Sequence, residues 1–313
     1  MKAMILAAGL GTRLRPLTDN RPKALVEIDG RTLLEITLTR LRPFGINEVI
    51  INVHHFAGMV VDYLKSHSNF GMRIEISRED DLLLDTGGGL KKASWFLLET
   101  ARHSSLAPLH SPIEPFLLHN VDVISTIDLS RMLQFHNEHN ALATLAVQSR
   151  ESSRLLLFDD HVQLVGRAGR SQKANSSAGE SGVTASVGDE PGNGGVIPSL
   201  ATNPGLVSAH SRIDQAALTS PTDRPSERIE ESASSPNSPL LHPLAFSGIH
   251  IISPRLLPLL TEEGVFSIMD AYLRLAAQGE KILAFRADEY YWRDLGRPSD
   301  LSQAVLDLRQ GMF

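Results

Sequence analysis

The residues best suited to do chemistry stand together near the start of the 313-residue chain. An apolar run, Ala3 to Ala8, leads into Gly9-Leu10-Gly11-Thr12-Arg13, and Arg15 and Pro22-Lys23 follow. Glycines let the backbone approach a phosphate and point several N–H groups at it. Arginines add charged donors that suit phosphate oxygens, and the lysine lies within reach of the same loop. The run therefore predicts a binding site for a phosphorylated ligand.

Two well-known glycine loops do not match this run. The dinucleotide fingerprint needs glycine or alanine where Leu14 stands, which disfavours a dehydrogenase. The ATPase loop needs Gly-Lys-Ser/Thr, whereas this chain has Gly11-Thr12-Arg13. A plain strand-to-helix turn is the alternative interpretation, and the arginines together with Pro22-Lys23 argue against it.

Two later segments could complete such a site. Asp122 follows the apolar strand pattern Phe116 to His119, and a carboxylate at a strand end is well placed to hold Mg²⁺ beside phosphates. A capping aspartate is the simpler alternative. Thr86-Gly87-Gly88-Gly89 precedes a helical pattern, where exposed N–H groups would suit close packing of a flat base or ribose. A flexible loop is the alternative there.

The elements that must position these residues alternate between strand and helix over the first 150 residues. Strand patterns at Ala3 to Ala8, Glu48 to Val53 and Phe116 to His119 alternate with helical ones such as Leu33 to Leu41. This order predicts a single α/β domain with a Rossmann-like, mostly parallel mixed sheet and helices on both faces. Ligands of such sheets bind beyond the carboxyl ends of the strands, where the glycine loop and Asp122 fall.

The chain changes character in its second half. Leu155 to Phe158 and Val162 to Val165 predict a hairpin, but residues 168–243 are rich in Ser, Gly, Pro, Asn and Ala and contain no aromatic residue. We interpret 168–243 as a disordered insertion into a domain made of residues 1–167 and 244–313. The flanking strands, Val162 to Val165 and Ala245 to Ile251, are expected to pair.

Composition excludes several classes of protein. The chain has no cysteine, which rules out disulfides, thiolate catalysis and cysteine zinc sites. The formal charge of −6 does not suit a nucleic-acid binder. No apolar run approaches the roughly 20 residues of a membrane helix, so we expect a cytoplasmic protein with no membrane partner. His54, His55, His119, His136 and His139 lack a zinc-ligand spacing and are expected to be polar surface or edge residues.

The run from Gly9 to Thr18 with Pro22-Lys23 closely resembles the signature of the sugar-phosphate nucleotidyltransferases, which make UDP-, GDP- and dTDP-sugars. Three further segments match the pattern of that family. Asn120-Val121-Asp122 resembles its Gly-Asp metal motif, with Val121 in place of glycine. Trp292-Arg293-Asp294-Leu295-Gly296-Arg297 resembles its Trp-x-Asp-x-Gly-Thr motif, with Arg297 in place of threonine. Phe246-Ser247-Gly248-Ile249 resembles its strand beside the sugar, whereas its Glu-Lys-Pro motif is absent.

The resemblance implies Mg²⁺-dependent transfer of a nucleotidyl group from a nucleoside triphosphate to a sugar 1-phosphate. It places the metal on Asp122 and Asp294, substrate contacts on Asn120 and Gly248, and catalysis on Arg13 and Lys23. The nucleotide would contact Ala7, Gly9, Gly11, Thr12, Arg13, Lys23, Thr86, Gly87 and Gly88.

The Thr-Gly-Gly-Gly form resembles the N-acetylmuramate 1-phosphate uridylyltransferase branch, which favours UTP and N-acetylmuramate 1-phosphate. A guanylyltransferase for mannose or heptose 1-phosphate is the alternative within the family. Val121 and Arg297 motivate a third hypothesis, a non-catalytic nucleotide-sugar-binding module. The sequence leaves open whether the protein is a monomer or a homo-oligomer.

Overall fold

The computed structural model describes residues 1–99, 114–168 and 240–313. These residues form an α/β structure around a nine-stranded mixed sheet, as the alternation of patterns predicts. The strands are β1 (Ala3–Leu6), β2 (Glu27–Ile28), β3 (Arg31–Thr32), β4 (Glu48–Val53), β5 (Arg73–Arg78), β6 (Phe116–Asn120), β7 (Val123–Ser125), β8 (Ala143–Gln148), β9 (Leu155–Phe158), β10 (Leu164–Arg167), β11 (His242–Ile252), β12 (Ile282–Arg286) and β13 (Trp292–Asp294). The helices are α1 (Leu33–Leu41), α2 (Ala57–Ser66), α3 (Asp85–Leu98), α4 (Leu129–Glu138), α5 (Ile268–Ala277) and α6 (Pro298–Arg309).

The sheet is parallel where it forms the candidate site. Strands β5, β4, β1 and β6 lie side by side in parallel, and β12 is parallel to β8. Strand β11 is antiparallel to β6, β8 and β9, and β10 is antiparallel to β9. Two short pairs, β2–β3 and β7–β13, stand apart from the main sheet.

Helices cover both faces of the sheet because buried strand residues alternate between two cores. Ala3 and Ile5 of β1 belong to one hydrophobic cluster, whereas Met4 between them belongs to the other. The first cluster takes its helix residues from α1, α2, α4 and α6, and the second from α3 and α5. Strands that are buried on both faces read as continuous apolar runs, which is why β1, β4 and β6 could be found from the sequence.

Several sequence predictions are confirmed, although the second hairpin strand is Leu164–Arg167 and not Val162 to Val165. The helix Leu33–Leu41 and the strand Glu48–Val53 appear as expected, and β9 and β10 form the expected hairpin. Helix α1 starts where it does because the Thr32 hydroxyl accepts a 3.1 Å hydrogen bond from the Glu35 N–H. Among the described residues, no helix is long and apolar enough to cross a membrane.

Other predictions are wrong in instructive ways. Strands β10 and β11 do not pair with each other, because β9 lies between them and pairs with both. The helix expected near Arg255 is a 3-10 helix, Pro254–Leu259, in which two prolines lack the N–H that an α-helix needs. His119 and His136 are buried rather than at the surface, being 1% and 2% exposed.

The predicted insertion, 168–243, lies almost entirely outside the described residues. Its two ends are described: the Ala168 N–H donates to the Leu155 carbonyl over 2.9 Å, and β11 begins at His242.

Candidate active site

A short strand pair brings the two predicted metal carboxylates together. Strand β7 follows Asp122 directly, and it pairs antiparallel with β13, which ends at Asp294. In that register Asp294 lies opposite Val123, and the Leu295 N–H donates to the Asp122 carbonyl over 2.8 Å. Two aspartates 172 positions apart in the chain (294 − 122) therefore become neighbours at one end of the sheet.

Lys23 lies against this carboxylate pair. Its ammonium group forms an ion pair with the Asp122 carboxylate, and the lysine as a residue is only 9% exposed. It is carried by a 3-10 turn, Lys23–Leu25, whose backbone is buried under α1. The sequence predicted a lysine within reach of the glycine loop, and the structure adds that it pairs with the predicted metal ligand Asp122.

Burial and neighbouring charges of both signs act on the Asp294 carboxyl. Burial raises the pKa of the Asp294 carboxyl, and the neighbouring Asp122 charge raises it further. Lys23, the Gly296 N–H and Arg13 act in the opposite direction and lower that pKa. Two carboxylates held this close repel each other, so a cation between them is favoured.

The glycine loop holds the backbone close to Lys23. Gly11 has a φ of +64°, and a Cβ there would lie 3.0 Å from Thr18 Cγ2 and 3.2 Å from Lys23 Cβ. The Thr18 hydroxyl donates to the Gly11 carbonyl over 2.9 Å and fixes the turn. Thr12 and Arg13 then start a 3-10 helix, Thr12–Leu14, with both side chains exposed.

Arg13 reaches from this loop to the second carboxylate motif. A Cβ at Gly296 would lie 2.8 Å from Arg13 Nη2 and 2.6 Å from Asp294 Oδ1, so the guanidinium packs directly over the Gly296 backbone. The structure thus brings Arg13, Lys23, Asp122 and Asp294 into one site, as predicted. The requirement for glycine at 296 was missed, although the motif around it was recognised.

The two departures from the family pattern do not disturb this site. Val121 is 3% exposed and packs in the first hydrophobic cluster, and its φ is negative, so it neither crowds a ligand nor strains the backbone. Arg297 precedes α6 in an extended conformation, and Pro298 takes the first helical position. The Arg297 side chain makes no capping hydrogen bond and instead lines the cleft.

A cleft of about 900 Å³ opens beside the carboxylates. Asn120 and Gly248, the predicted sugar contacts, both line it. Gly248 has a φ of +77° at an irregularity in β11, and a Cβ there would lie 2.9 Å from Asn120 Nδ2. Because residue 248 is a glycine, the Asn120 amide can lie against the backbone of β11.

A second, smaller cleft of about 340 Å³ lies on the other side of the glycine loop. Ala8, Gly9 and Thr86 line it, with Asn52 and Glu79 at its base. Ala7, in contrast, is 5% exposed and its N–H donates to Asn52 Oδ1 over 2.8 Å, so that N–H is already engaged. Gly9 and Thr86, two predicted nucleotide contacts, thus line this cleft, whereas the Ala7 N–H fixes the start of the glycine loop to Asn52.

The expectation of free N–H groups at Gly87 and Gly88 is wrong. Helix α3 begins at Asp85, so the glycines lie inside its first turns, and both N–H groups donate to the Phe266 carbonyl. A Cβ at Gly87 would overlap the Phe266 ring, and one at Gly88 would overlap the Gly264 carbonyl oxygen. The glycine run serves close packing of α3 against the segment before α5.

Sequence reasoning missed a buried polar pair under the smaller cleft. Asn52 Nδ2 donates to Glu79 Oε1 over 2.8 Å, and the Leu84 N–H donates to Glu79 Oε2 over 2.9 Å. The two side chains are 2% and 1% exposed. The sequence signal was Asn52, a polar residue inside the apolar run of β4. A buried strand tolerates such a side chain only when it has a hydrogen-bond partner.

The donor set fits a divalent metal of the Mg²⁺ type. Within the described ranges there is no group of three or more His, Cys, Asp or Glu residues that could hold a metal ion. Mg²⁺ is commonly held by one or two carboxylates while water and phosphate oxygens fill its other positions. The Asp122–Asp294 pair supplies that number, beside a loop suited to phosphates.

Comparisons with known proteins agree with this geometry. Residues 2–155 match the family model described as nucleotidyl transferase. The N-acetylmuramate alpha-1-phosphate uridylyltransferase of Caulobacter vibrioides is 50% identical over 93 residues, which are 29% of this chain and 38% of that protein. Mannose-1-phosphate guanylyltransferase 1 of Arabidopsis thaliana is 34% identical over 148 residues, 47% of this chain and 38% of that protein. The chain thus spans less than half the length of these two relatives.

Solved structures share the fold at low sequence identity. The inositol-1-phosphate CTP transferase of T. maritima has a TM-score of 0.62 at 15% identity, covering 99% of this chain and 95% of that one. This likeness supports the Rossmann-like arrangement of the sheet.

Proposed function

We propose that the protein transfers a nucleotidyl group from a nucleoside triphosphate to a sugar 1-phosphate, a reaction that the match of residues 2–155 to the nucleotidyl transferase family model supports. One observation carries the proposal. Strands β7 and β13 set Asp122 beside Asp294, with Lys23 on the first carboxylate and Arg13 over the backbone next to the second.

The reaction would be attack of a sugar 1-phosphate oxygen on the α-phosphorus of the triphosphate, with pyrophosphate leaving. The attacking phosphate is already ionised at neutral pH, so no general base is needed. The protein's task is then to position two anions and to neutralise charge. Arg13 and Lys23 would bind the triphosphate and stabilise the charge that develops on pyrophosphate.

Asp122 and Asp294 would hold Mg²⁺, which when bound neutralises phosphate charge at the reacting centre. Lys23 occupies one oxygen of Asp122, which leaves the other oxygen for the metal together with the Asp294 carboxylate, to which the Gly296 N–H also donates. The lysine therefore reduces repulsion within the carboxylate pair without blocking it.

We favour UTP and N-acetylmuramate 1-phosphate as substrates. The Thr86-Gly87-Gly88-Gly89 form and the 50% identical relative from Caulobacter support that choice. The Arabidopsis relative supports the second candidate, a guanylyltransferase for mannose or heptose 1-phosphate. A non-catalytic binding module would not need both carboxylates with Arg13 and Lys23, and the buried position of Val121 removes part of its motivation.

Pyrophosphate release tests the proposal directly. The full-length chain should be assayed with Mg²⁺ across the four common nucleoside triphosphates, each with N-acetylmuramate, mannose, heptose and glucose 1-phosphates. Turnover that requires both substrates supports the reaction, and the preferred pair separates the uridylyl and guanylyl candidates. Binding of a nucleotide-sugar without pyrophosphate release from any pair would contradict the proposal and favour the binding module.

A further inference from the structure

Arg150 is held in the large cleft by contacts that fix its guanidinium group. The guanidinium carbon lies 3.7 Å from the centroid of the Trp292 ring, and Nη2 donates to the Phe246 carbonyl over 2.7 Å. Trp292 is itself fixed, because its indole N–H donates to the Ser247 carbonyl over 2.7 Å. A stacked and hydrogen-bonded arginine has lost most of its side-chain freedom before any ligand arrives, which favours binding.

The charge on this arginine lacks a carboxylate partner among the described residues. The side chain is half-buried, Nε is fully enclosed, and no described atom accepts a hydrogen bond from it. Nη1 also makes no hydrogen bond to a described residue, but it is not enclosed. Burying an unpaired charge is costly unless an anion compensates it, so this arrangement points to an anionic ligand.

The position of Arg150 indicates which anion that is. Arg150 lines the same cleft as Asp294, Asn120 and Gly248, and the Asp294 charge acts on it electrostatically. Arg293, which lines the cleft too, is already paired with Asp307 at 2.8 Å. In the proposed reaction, the phosphate of the sugar 1-phosphate has to reach both the predicted sugar contacts and the carboxylates, and Arg150 lines the cleft that they share.

We propose that Arg150 binds the phosphate of the sugar 1-phosphate, through Nη1 and the outer edge of its guanidinium, and so positions that phosphate for attack. This assignment rests on the proposed function. It gives the phosphate of the acceptor a charged partner separate from Arg13 and Lys23, which serve the triphosphate.

Steady-state kinetics of Arg150→Gln, with each substrate varied in turn, test the assignment. Loss of a charge-assisted contact should raise the KM for the sugar 1-phosphate about 10- to 100-fold. The KM for the triphosphate should change less than about threefold, because Arg13 and Lys23 remain. Arg150→Lys keeps the charge and should give an intermediate KM, which also provides the test if Arg150→Gln unfolds. Arg42→Gln is the control, since Arg42 is an exposed arginine after α1, and it should leave both KM values nearly unchanged.

The outcomes separate this assignment from the proposed function. Unchanged KM for the sugar 1-phosphate in a folded Arg150→Gln, with the wild type active, overturns the role of Arg150 alone. An effect confined to acceptors that carry a carboxylate overturns it too, because Arg150 would then bind the sugar acid. An equal rise in the KM for the sugar 1-phosphate and in the KM for the triphosphate would also overturn the role assigned to Arg150. A wild type that releases no pyrophosphate contradicts the proposed function and this assignment with it.

Discussion

At the scale of single residues, the site is a balance of four charges. Asp122 and Asp294 lie close enough for the first to raise the pKa of the second, and Lys23 and Arg13 lower it. Lys23 compensates one carboxylate, and both side chains are largely buried, where an ion pair is stronger than at the surface. This arrangement lets the protein hold two like charges together before a metal and phosphates are bound.

Removing either carboxylate should abolish turnover. Asp122→Ala and Asp294→Ala each delete a proposed metal-binding carboxylate, which should lower kcat by at least about 100-fold, equivalent to about 2.7 kcal/mol of transition-state stabilisation. Pyrophosphate release at saturating Mg²⁺ measures the loss, and circular dichroism checks the fold. Asp62→Ala, on the exposed face of α2, is the control and should keep normal activity. Near-normal activity in either site variant would mean that the residue is not a ligand.

Arg13 makes a separate prediction about the triphosphate. Arg13→Ala removes a charged donor beside the glycine loop, so the KM for the triphosphate should rise about 10- to 100-fold and kcat should fall. Arg42→Ala removes an exposed arginine after α1 and should change neither value. If Arg13→Ala shows wild-type kinetics with varied triphosphate, the role assigned to Arg13 is wrong.

At the scale of elements, β13 connects the site to the C-terminal helix by alternation of its side chains. Trp292 and Asp294 line the cleft, whereas Tyr291 and Arg293 form hydrogen bonds to Asp307 of α6. The Tyr291 hydroxyl donates to Asp307 over 2.6 Å, and Arg293 Nε donates to the same carboxylate over 2.8 Å. Asp307 is 3% exposed, so this hydrogen-bond network is buried and holds the strand in register.

The glycine run of α3 predicts opposite effects of alanine in two helices. Gly88→Ala would place a methyl group on the Gly264 carbonyl oxygen, so it should destabilise the protein by about 1–3 kcal/mol and lower Tm by roughly 3–10 °C. Gly58→Ala in the first turn of α2 meets no atom within 4 Å and should stabilise by up to about 1 kcal/mol. Thermal unfolding of both variants compares them, and a Gly88→Ala protein as stable as Gly58→Ala would refute the packing role.

The sequence predicted those elements and residues whose pattern lies within one short segment of the chain. Strands β1, β4 and β6 are apolar runs, and Arg13, Lys23 and Asp122 stand in recognisable frames beside them, so both elements and residues were found. The pairing of β7 with β13 is made by segments far apart in the chain, and three-residue strands carry no periodicity. The packing of Gly88 on Gly264 and of Arg150 on Trp292 depends on tertiary contacts that spacing does not encode.

At the scale of the whole molecule, buried histidines link stability to pH. Burial lowers the pKa of His136 to about 4, of His119 to about 4 and of His250 to about 3. The unfolded chain binds these protons near pH 6.5. The stability contributed by each neutral histidine is therefore fully present above pH 6.5 and is lost as pH falls toward the folded pKa.

Replacing one of these histidines should flatten the pH dependence. Between pH 6.5 and 4.5 each such histidine contributes a slope of up to about 1.4 kcal/mol per pH unit. His136 Nδ1 lies 2.9 Å from the Thr144 hydroxyl, and the glutamine of His136→Gln can still form a hydrogen bond there. This variant should reduce the slope of stability against pH by up to about 1.4 kcal/mol per pH unit. Urea unfolding at pH 7, 6 and 5 measures it, with exposed His161→Gln as the control. Equal slopes in wild type and His136→Gln would show that His136 is protonated in the folded protein.

The connection between β10 and β11 carries the last prediction, which concerns the proposed insertion. Arg167 and Leu244 both lie opposite Leu156, one on each side of β9, so β10 and β11 run parallel with one strand between them. Such a connection is a crossover and needs roughly a dozen residues, so a two-residue turn could not replace it.

Residues 170–239 contain no aromatic residue and no sustained apolar pattern, and we propose that the domain folds without them. Replacing them by a Gly-Ser linker of about 12 residues should leave Tm unchanged or slightly higher, because loop-closure entropy falls slowly as a loop shortens. A linker of about three residues should destabilise the protein, because it cannot span β9 and would break the pairing of β10 or β11. Differential scanning fluorimetry compares the two deletions with the full chain, and a large loss of Tm with the longer linker would show that the segment contributes to the fold.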